Sequence, residues 1–193
     1  YKVDGNENYK KFQSSVKSYI RRAQNVTPPD ASDDLVYDKT SHKMLSAPAT
    51  VNSGNTVSII KYRFDGDDTW YSLEQLPQKT DAGDYVIYYK VDGNDTFAEF
   101  IGTIEVTIGK ANQEITAPVG KENLIYSNSE QDLLSSKPLI DNGNTNSSIK
   151  YRLDETSKWS EFLPTAVNAG TYTVYYMIEE NNNYNVFEGN ISV

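Results

Sequence analysis

The carboxylates in three acidic turns are the side chains of this sequence whose type and spacing most resemble a metal-binding site. These turns place two or more carboxylates within four positions, namely Asp4-Gly5-Asn6-Glu7, Asp65-Gly66-Asp67-Asp68 and Asp92-Gly93-Asn94-Asp95. Calcium prefers several oxygen ligands, but none of these turns follows the spacing of an EF-hand loop. An Asp-Gly pair also favours the positive φ angles of a tight hairpin turn. We therefore predict hairpin turns at these positions and no metal site.

The sequence contains side chains that could act as nucleophiles, acids or bases, but it lacks the sequence motifs that make such groups catalytic. His42 is the single histidine, and the chain has no cysteine. The sequence lacks a Gly-x-Ser-x-Gly nucleophile turn, a phosphate-binding glycine loop and a metalloprotease helix. Its carboxylate pairs do not stand in a recognisable glycosidase setting. We predict that His42 is a solvated loop residue and that the chain is not an enzyme, with no catalytic residue and no cofactor.

Aromatic side chains offer a further kind of site, because their faces stack on carbohydrate as well as on one another. The chain has 15 tyrosines and two tryptophans. Trp70 and Trp159 stand at equivalent places beside a turn, which favours a shared packing role. We expect Tyr71, Tyr88 and Tyr175 to be partly exposed, so a glycan-binding face is an open alternative.

The charge of the chain argues against polyanionic partners. The net charge is -9, and it is uneven, since residues 1–24 carry +4 and the remainder carries -13. Nucleic acid and anionic membranes repel such a surface. No apolar run approaches the length of a membrane span. We therefore expect neither a nucleic-acid partner nor a membrane span in this segment.

Two long stretches of the sequence repeat, and this organises every other element. Residues 82–89 (AGDYVIYY) return as residues 169–176 (AGTYTVYY), a shift of 87 positions. Residues 60–63 (IKYR) return as residues 149–152, a shift of 89. Self-similarity at a long fixed period indicates an array of domains. The opening residues YKVDGN also match residues 89–94, so we predict that residues 1–24 are the tail of an earlier repeat.

Each repeat alternates short β-branched and aromatic stretches with clusters of Gly, Asn, Asp and Pro, which predicts strands and turns. We expect strands at residues 57–64 and 148–153, at Leu35–Tyr37 and Leu124–Tyr126, and around Leu45 and Leu134. Six or seven such strands in a repeat predict an antiparallel β-sandwich. Tyr85 and Tyr172 stand where immunoglobulin-like sandwiches place a corner tyrosine, whose hydroxyl bonds to nearby backbone.

Residues 1–24 allow two structures. Phe12, Val16 and Ile20 align with Phe100, Ile104 and Ile108, which favours a terminal strand hairpin. The same apolar residues, with Tyr19, also fall on one face of a helix. We favour the hairpin, because the match to the later repeat continues through residues 20–23.

The chain resembles a bacterial immunoglobulin-like surface-protein repeat. The resemblance rests on residues 81–91 and 168–176, on the hairpin Tyr62-Arg63-Phe64-Asp65-Gly66, and on the closing Ile108-Gly109-Lys110-Ala111. The second repeat departs from the pattern, since Asp154-Glu155 replaces the Asp-Gly of the hairpin. The disulfide position of antibody domains carries Ile87 and Val174, so aliphatic packing replaces that bond.

The resemblance implies a complete set of expectations. The fold class is all-β, with tandem immunoglobulin-like antiparallel β-sandwiches at residues 25–111 and 112–193 after the remnant at 1–24. The function is that of structural spacer repeats in a large bacterial cell-surface or secreted protein, which display other modules and aid adhesion. The partners are neighbouring repeats of the same chain, joined by short junctions into a semi-rigid rod. The alternative is an adhesin module that binds a glycan or a host surface protein through exposed tyrosines.

Overall fold

The computed structural model describes residues 1–52, 54–55, 59–140, 144 and 146–193. The chain is essentially all-β, and its sheets are antiparallel. Its helical content in the described residues is a single 3-10 turn, Leu73–Gln75. No helix in this part of the chain is long and apolar enough to cross a membrane. The all-β prediction is therefore confirmed.

The strands of the described residues are short in the outer parts of each repeat and long in its centre. The first nine are β1 (Lys2–Val3), β2 (Phe12–Gln13), β3 (Val26–Thr27), β4 (Asp30–Ala31), β5 (Leu45–Ala47), β6 (Thr50–Val51), β7 (Ile60–Phe64), β8 (Gly83–Val91) and β9 (Phe100–Ile108). They are followed by β10 (Ile115–Thr116), β11 (Val119–Gly120), β12 (Gln131–Asp132), β13 (Leu134–Ser136), β14 (Leu139–Ile140), β15 (Ile149–Arg152), β16 (Thr165–Ala166), β17 (Thr173–Ile178) and β18 (Phe187–Ser192).

Prolines explain why the outer strands are short. Pro28 and Pro29 separate β3 from β4, and Pro48 lies between β5 and β6. Pro118 and Pro138 interrupt the second repeat at the matching places. Proline has no N–H to donate to a sheet ladder, so each one divides an edge strand into two pieces. The long strands β8 and β9 contain no proline.

Close contacts divide the chain into two compact units. The first comprises Tyr1–Ala31, Leu45–Leu76 and Val86–Glu105. Its main sheet has the order β7-β8-β9, with Tyr62 opposite Tyr89. The buried apolar side chains of this unit are Leu45, Ala49, Tyr62, Phe64, Ile87, Tyr89, Val91 and Phe97. The buried Tyr62 hydroxyl accepts a hydrogen bond from the Ala49 N–H at 2.9 Å, so this phenol has a partner in the core.

The second unit comprises Ser32–Met44, Pro77–Tyr85 and Val106–Val193. Its main sheet has the order β15-β17-β18, with Tyr151 opposite Tyr176. The core cluster is Leu133, Leu134, Tyr151, Val174, Tyr176 and Ile178. The same residue types therefore fill both sheet interiors. The finer division into 1–24, 25–111 and 112–193 stays a prediction.

Two glycines are required by a tyrosine ring that lies against them. A Cβ at Gly189 would stand 2.6 Å from the Tyr176 ring, and a Cβ at Gly102 would stand 2.3 Å from the Tyr89 ring. Both tyrosines are 4% exposed, so each ring is fixed in place by its surroundings. Glycine is needed where another group approaches the backbone this closely.

The predicted corner tyrosines are confirmed in their geometry. The Tyr85 hydroxyl donates to the Asp81 carbonyl at 2.8 Å. The Tyr172 hydroxyl donates to the Asn168 carbonyl at 2.7 Å. Each bond closes the turn that leads into the central strand of its repeat.

Residues 1–24, all of which are described, form a hairpin of β1 with β2 and contain no helix. The helical alternative is wrong, because the Asp4-Gly5-Asn6 turn brings Lys2 opposite Gln13. The Asn6 carboxamide oxygen accepts from the N–H groups of Asn8 and Tyr9 and so closes this turn.

Some predicted strands differ from those that form. No strand forms at Leu124–Tyr126, and Leu35–Tyr37 contributes only a bridge at Val36. The first residues of the strand predicted at 57–64 lie outside the described residues, and the described strand begins at Ile60. Ile125 and Tyr126 are 79% and 58% exposed, so this apolar stretch has no sheet to join.

Candidate functional site

Asp92, the first residue of one acidic turn, is held by two lysines. The Asp92 carboxylate lies 2.8 Å from the Lys61 Nζ and 2.9 Å from the Lys90 Nζ. Hydrogen bonds from these ammonium groups hold the pKa of Asp92 below its usual range, and the bond from Lys61 is the larger cause. Among the described residues, no group of three or more Asp, Glu, His or Cys side chains could hold a metal ion.

The same ion pair recurs in the second unit. The Lys150 Nζ donates to Glu179, and the Ser148 hydroxyl donates to the same carboxylate. These bonds lower the pKa of Glu179, and the bond from Lys150 is the larger cause. Lys150 and Glu179 correspond to Lys61 and Asp92 by the sequence shifts of 89 and 87.

His42 is not the solvated loop residue that the sequence predicts. Its side chain is 15% exposed, and its Nε2 lies 3.1 Å from an Asp38 carboxylate oxygen. Its backbone pairs with Lys79 through bonds of 2.7 and 3.2 Å. His42 and Lys79 both belong to the second unit, and the histidine there is part of no group of three or more possible metal ligands among the described residues.

A buried chain of amide side chains is the most distinctive polar feature of the second unit. The Asn144 Nδ2 donates to the Gln113 Oε1 at 3.0 Å, and the Asn181 Nδ2 donates to the Asn144 Oδ1 at 2.8 Å. The Asn181 Oδ1 then accepts from the N–H groups of Asn183 and Tyr184. Gln113 and Asn144 are 8% and 6% exposed. A buried amide without a hydrogen-bond partner lowers the stability of the fold, so this series of hydrogen-bonded amides is a structural element.

The first unit contains the same chain of amides, bond for bond. The Asn55 Nδ2 donates to the Gln24 Oε1 at 3.3 Å, and the Asn94 Nδ2 donates to the Asn55 Oδ1 at 3.1 Å. The Asn94 Oδ1 accepts from the N–H groups of Thr96 and Phe97. We call Gln24, Asn55 and Asn94 the first amide network, and Gln113, Asn144 and Asn181 the second.

Each amide network shapes a loop that forms one parallel β-bridge with another segment. In the second unit, the Ala111 N–H donates to the Asn183 carbonyl, and the Asn185 N–H donates to the Ala111 carbonyl, both at 2.9 Å. In the first unit, Arg22 makes the same pair of bonds with Thr96 and Ala98, at 2.8 and 2.9 Å. The carboxamide thus shapes the loop whose backbone then pairs with Arg22 or Ala111.

The second network carries further bonds to the incoming segment. The Asn183 Oδ1 accepts from the Ala82 N–H at 2.8 Å, and its Nδ2 donates to Asp81 at 3.0 Å. The Tyr37 and Tyr184 rings meet edge to face, with centroids 5.3 Å apart. Lys110 pairs with Glu180 at 2.7 Å. All of these residues belong to the second unit, so the residues before and after position 111 are packed together there.

The tryptophans form repeated stacks with arginine. The Arg63 guanidinium lies 5.1 Å from the Trp70 ring centre and 4.6 Å from the Tyr88 ring centre. Its counterpart Arg152 lies 4.3 Å from Trp159 and 5.3 Å from Tyr175. Cation–π contacts of this kind stabilise partly exposed sheet faces by about 0.5–1 kcal/mol each.

The exposed tyrosines lie where the sequence predicts, at intermediate exposure, but they are not free platforms. Tyr88 and Tyr175 each have a guanidinium over the ring. Tyr71 pairs through its backbone with Tyr62, as Ser160 does with Tyr151. Tyr71 and Ser160 therefore share their backbone pairing, but the tyrosine side chain does not recur in the second repeat.

Sequence reasoning missed the amide networks, although a signal was present. Gln24 and Asn55 return 89 positions later, and Asn94 returns 87 positions later, with no change of residue type. A polar residue that repeats unchanged among variable loop residues indicates a buried partner. Comparison of the sequence with models of protein families and with curated proteins, and of the fold with solved structures, finds no match.

Proposed function

We propose that this chain is a pair of structural spacer repeats, each an immunoglobulin-like antiparallel β-sandwich, from a large bacterial cell-surface or secreted protein. The repeats hold other modules at a distance and aid adhesion without chemistry of their own. Neighbouring repeats of the same chain are their principal partners. The observation that carries the proposal is the amide network, which recurs bond for bond and shapes a loop with a parallel β-bridge in each unit.

The disposition of the reactive side chains supports the same proposal. Asp92 and Glu179, at matching positions of the two repeats, each pair with a lysine. The bonds of Asn183 to Asp81 and Ala82 join residues on both sides of position 111 within one compact unit. A spacer needs such bonds, because a freely jointed connection transmits no direction.

The test is to display the chain on a bacterial surface with a reporter epitope at its outer end. One copy is compared with two copies in series, and antibody access is measured beneath a polysaccharide layer of fixed thickness. The proposal predicts better access with two copies, and equal access after Tyr88→Ala or Tyr175→Ala. Access that does not depend on the number of copies would contradict it.

A binding module is the second candidate, and the repeated arginine–aromatic stacks favour it. Tyr88 and Tyr175 place a half-exposed ring beside a cation at matching positions of the two repeats. A glycan array and a pull-down of host surface proteins test it. Binding that Tyr88→Ala abolishes, and that the exposed Tyr9→Ala leaves intact, would replace the spacer proposal with this one.

A further inference from the structure

An open pocket lies beside the second amide network. Its volume is about 270 Å³, and its described lining consists of five asparagines and two tyrosines, all of them in the second unit. Carboxamide and phenol groups are uncharged at neutral pH, and each can both donate and accept hydrogen bonds. The pocket therefore offers hydrogen bonds of both kinds without a net charge.

The amide network and its neighbours hold the walls of this pocket in place. The Asn181 carboxamide donates to that of Asn144 at 2.8 Å, and the Asn183 carboxamide bonds to Ala82 and Asp81. Tyr184, which also lines the pocket, is only 5% exposed. Walls that are fixed before a ligand arrives reduce the conformational entropy that is lost on binding.

Two other asparagines of the lining have carboxamides that the fold does not use. Asn146 and Asn182 are exposed, and neither side chain makes a hydrogen bond to the described residues. By the sequence shifts of 89 and 87, their counterparts in the first repeat are Val57 and Asp95. The first amide network forms without an asparagine at either place, so the fold does not require these two amides.

Tyr37 gives the pocket an aromatic wall. Its ring meets the Tyr184 ring edge to face, with centroids 5.3 Å apart, and its N–H donates to the Gly109 carbonyl at 2.9 Å. The Tyr37 side chain is partly exposed, and its hydroxyl makes no hydrogen bond to the described residues. The ring is therefore held in position while part of its surface stays available to a ligand.

A sugar ring matches this combination of groups. Neighbouring sugar hydroxyls both donate and accept hydrogen bonds, as a carboxamide does through its Nδ2 and Oδ1, and the C–H face of the ring packs on an aromatic side chain. Pockets for drug-sized ligands have volumes of roughly 300–1,000 Å³, so this smaller pocket suits a single ring. An anionic ligand would meet no cation among the described residues of the lining, in a chain whose net charge is -9.

We propose that this pocket binds one neutral sugar unit of a glycan. The Asn146 and Asn182 carboxamides bond to neighbouring hydroxyls of the ring, and Tyr37 packs against its C–H face. The site is distinct from the arginine–aromatic stacks at Tyr88 and Tyr175. It does not depend on the spacer function, so either proposal can fail alone.

NMR titration of the ¹⁵N-labelled chain with methyl glycosides of neutral hexoses and N-acetylhexosamines is the test. We expect at least one glycoside to shift the side-chain amide signals of Asn146 and Asn182, with a Kd on the order of 1 mM for a single ring. Asn182→Ala should weaken that binding at least about tenfold, because it removes a donor and an acceptor for the sugar hydroxyls. The corresponding uronic acid should bind more weakly, since its carboxylate finds no cation in the described lining.

The matched control is Asn190→Ala, at an exposed asparagine of β18 that lies outside the pocket. This variant and Tyr175→Ala should bind the glycoside as the wild type does, and urea unfolding of Asn182→Ala should show an intact fold. The proposal is overturned if no glycoside shifts the Asn146 and Asn182 signals, or if the uronic acid binds as tightly as the neutral sugar. Binding that Tyr175→Ala removes and Asn182→Ala leaves intact would overturn it as well and assign the sugar to the arginine–aromatic stack.

Discussion

The two amide networks are alike in the bonds that close a loop and different in the bonds that reach beyond it. Both run from a glutamine through two asparagines to a pair of backbone N–H groups. In the first unit the loop carries Thr96 and Phe97, and Arg22 lies over the Phe97 ring at 5.8 Å. In the second unit the matching residues are Asn183 and Tyr184.

The bonds that both networks share shape the loop, and the bonds found only in the second network connect that loop to other segments. The shared bonds are those that each repeat needs in order to bury its own loop. The added bonds of Asn183, and the contact of Tyr184 with Tyr37, lead to residues that precede position 111. The added bonds therefore lie within the second unit, where Asn183 and Tyr184 stand at the positions of Thr96 and Phe97.

Removing the central amide should have the largest effect. Asn144→Ala removes the bonds to the Gln113 Oε1 and from the Asn181 Nδ2, and it leaves the buried carboxamide oxygen of Gln113 without its donor. We expect a loss of about 3 kcal/mol in the free energy of unfolding. Asn55→Ala should cost a similar amount if the two networks are equivalent. Urea unfolding followed by tyrosine fluorescence measures both.

The control for this pair is Asn182→Ala. Asn182 is exposed, and its side chain makes no hydrogen bond to the described residues. We expect a change within about 0.5 kcal/mol. Equal losses at Asn144 and Asn182 would contradict the structural role of the network.

Adding one methyl group at Gly189 should have the next largest effect. Gly189→Ala places a Cβ 2.6 Å from the buried Tyr176 ring, and displacement of that ring should cost about 1–3 kcal/mol. Gly102→Ala should behave alike. Gly109→Ala is the control, because its Cβ meets only ordinary contacts. Thermal unfolding compares the three variants, and a neutral Gly189→Ala would refute the close approach.

Removing a corner hydroxyl should have a moderate effect. Tyr172→Phe deletes the bond to the Asn168 carbonyl and should cost about 1 kcal/mol. Tyr85→Phe, which deletes the bond to Asp81, should cost the same. Urea midpoints report both values, and unchanged midpoints would mean that water replaces these bonds without loss.

The ion pairs should have the smallest effect. Because the pKa values of Asp92 and Glu179 are lowered in the folded state, their contribution is present above the unfolded pKa and is lost as the pH falls through the folded pKa. These side chains are partly exposed, so solvent screens each pair and its contribution should be smaller than that of a corner hydroxyl. Urea unfolding of the wild type and of Asp92→Asn, from neutral pH down to about pH 3, measures it. A wild-type loss on acidification that Asp92→Asn fully retains would assign the effect to other groups.

The hairpins show how far sequence determines local structure. The ring centres of Tyr1 and Phe12 lie 6.0 Å apart, those of Tyr89 and Phe100 5.8 Å, and those of Tyr176 and Phe187 6.0 Å. The same residues therefore make the same cross-strand pair in three places. Yet Tyr1 is 71% exposed while Tyr89 and Tyr176 are 4% exposed. The first pair lies in a two-stranded sheet, and the other two lie in three-stranded sheets.

Prediction failed where structure depends on a distant partner. The alternation at Leu124–Tyr126 is typical of a strand, but a strand requires a neighbour, and no described residue pairs with it. The corner tyrosines were predictable because their partners lie four residues away. The amide networks were missed because Gln113 and Asn181 stand far apart in the sequence and meet only through Asn144.

Pulling a single molecule from its two ends tests the central claim most directly. If residues 25–111 and 112–193 are separately folded repeats that bear load, two force peaks should appear. Each should release roughly 300 Å of chain, given about 3.5 Å per extended residue. A single peak that releases the whole length, or extension without any peak, would contradict the account.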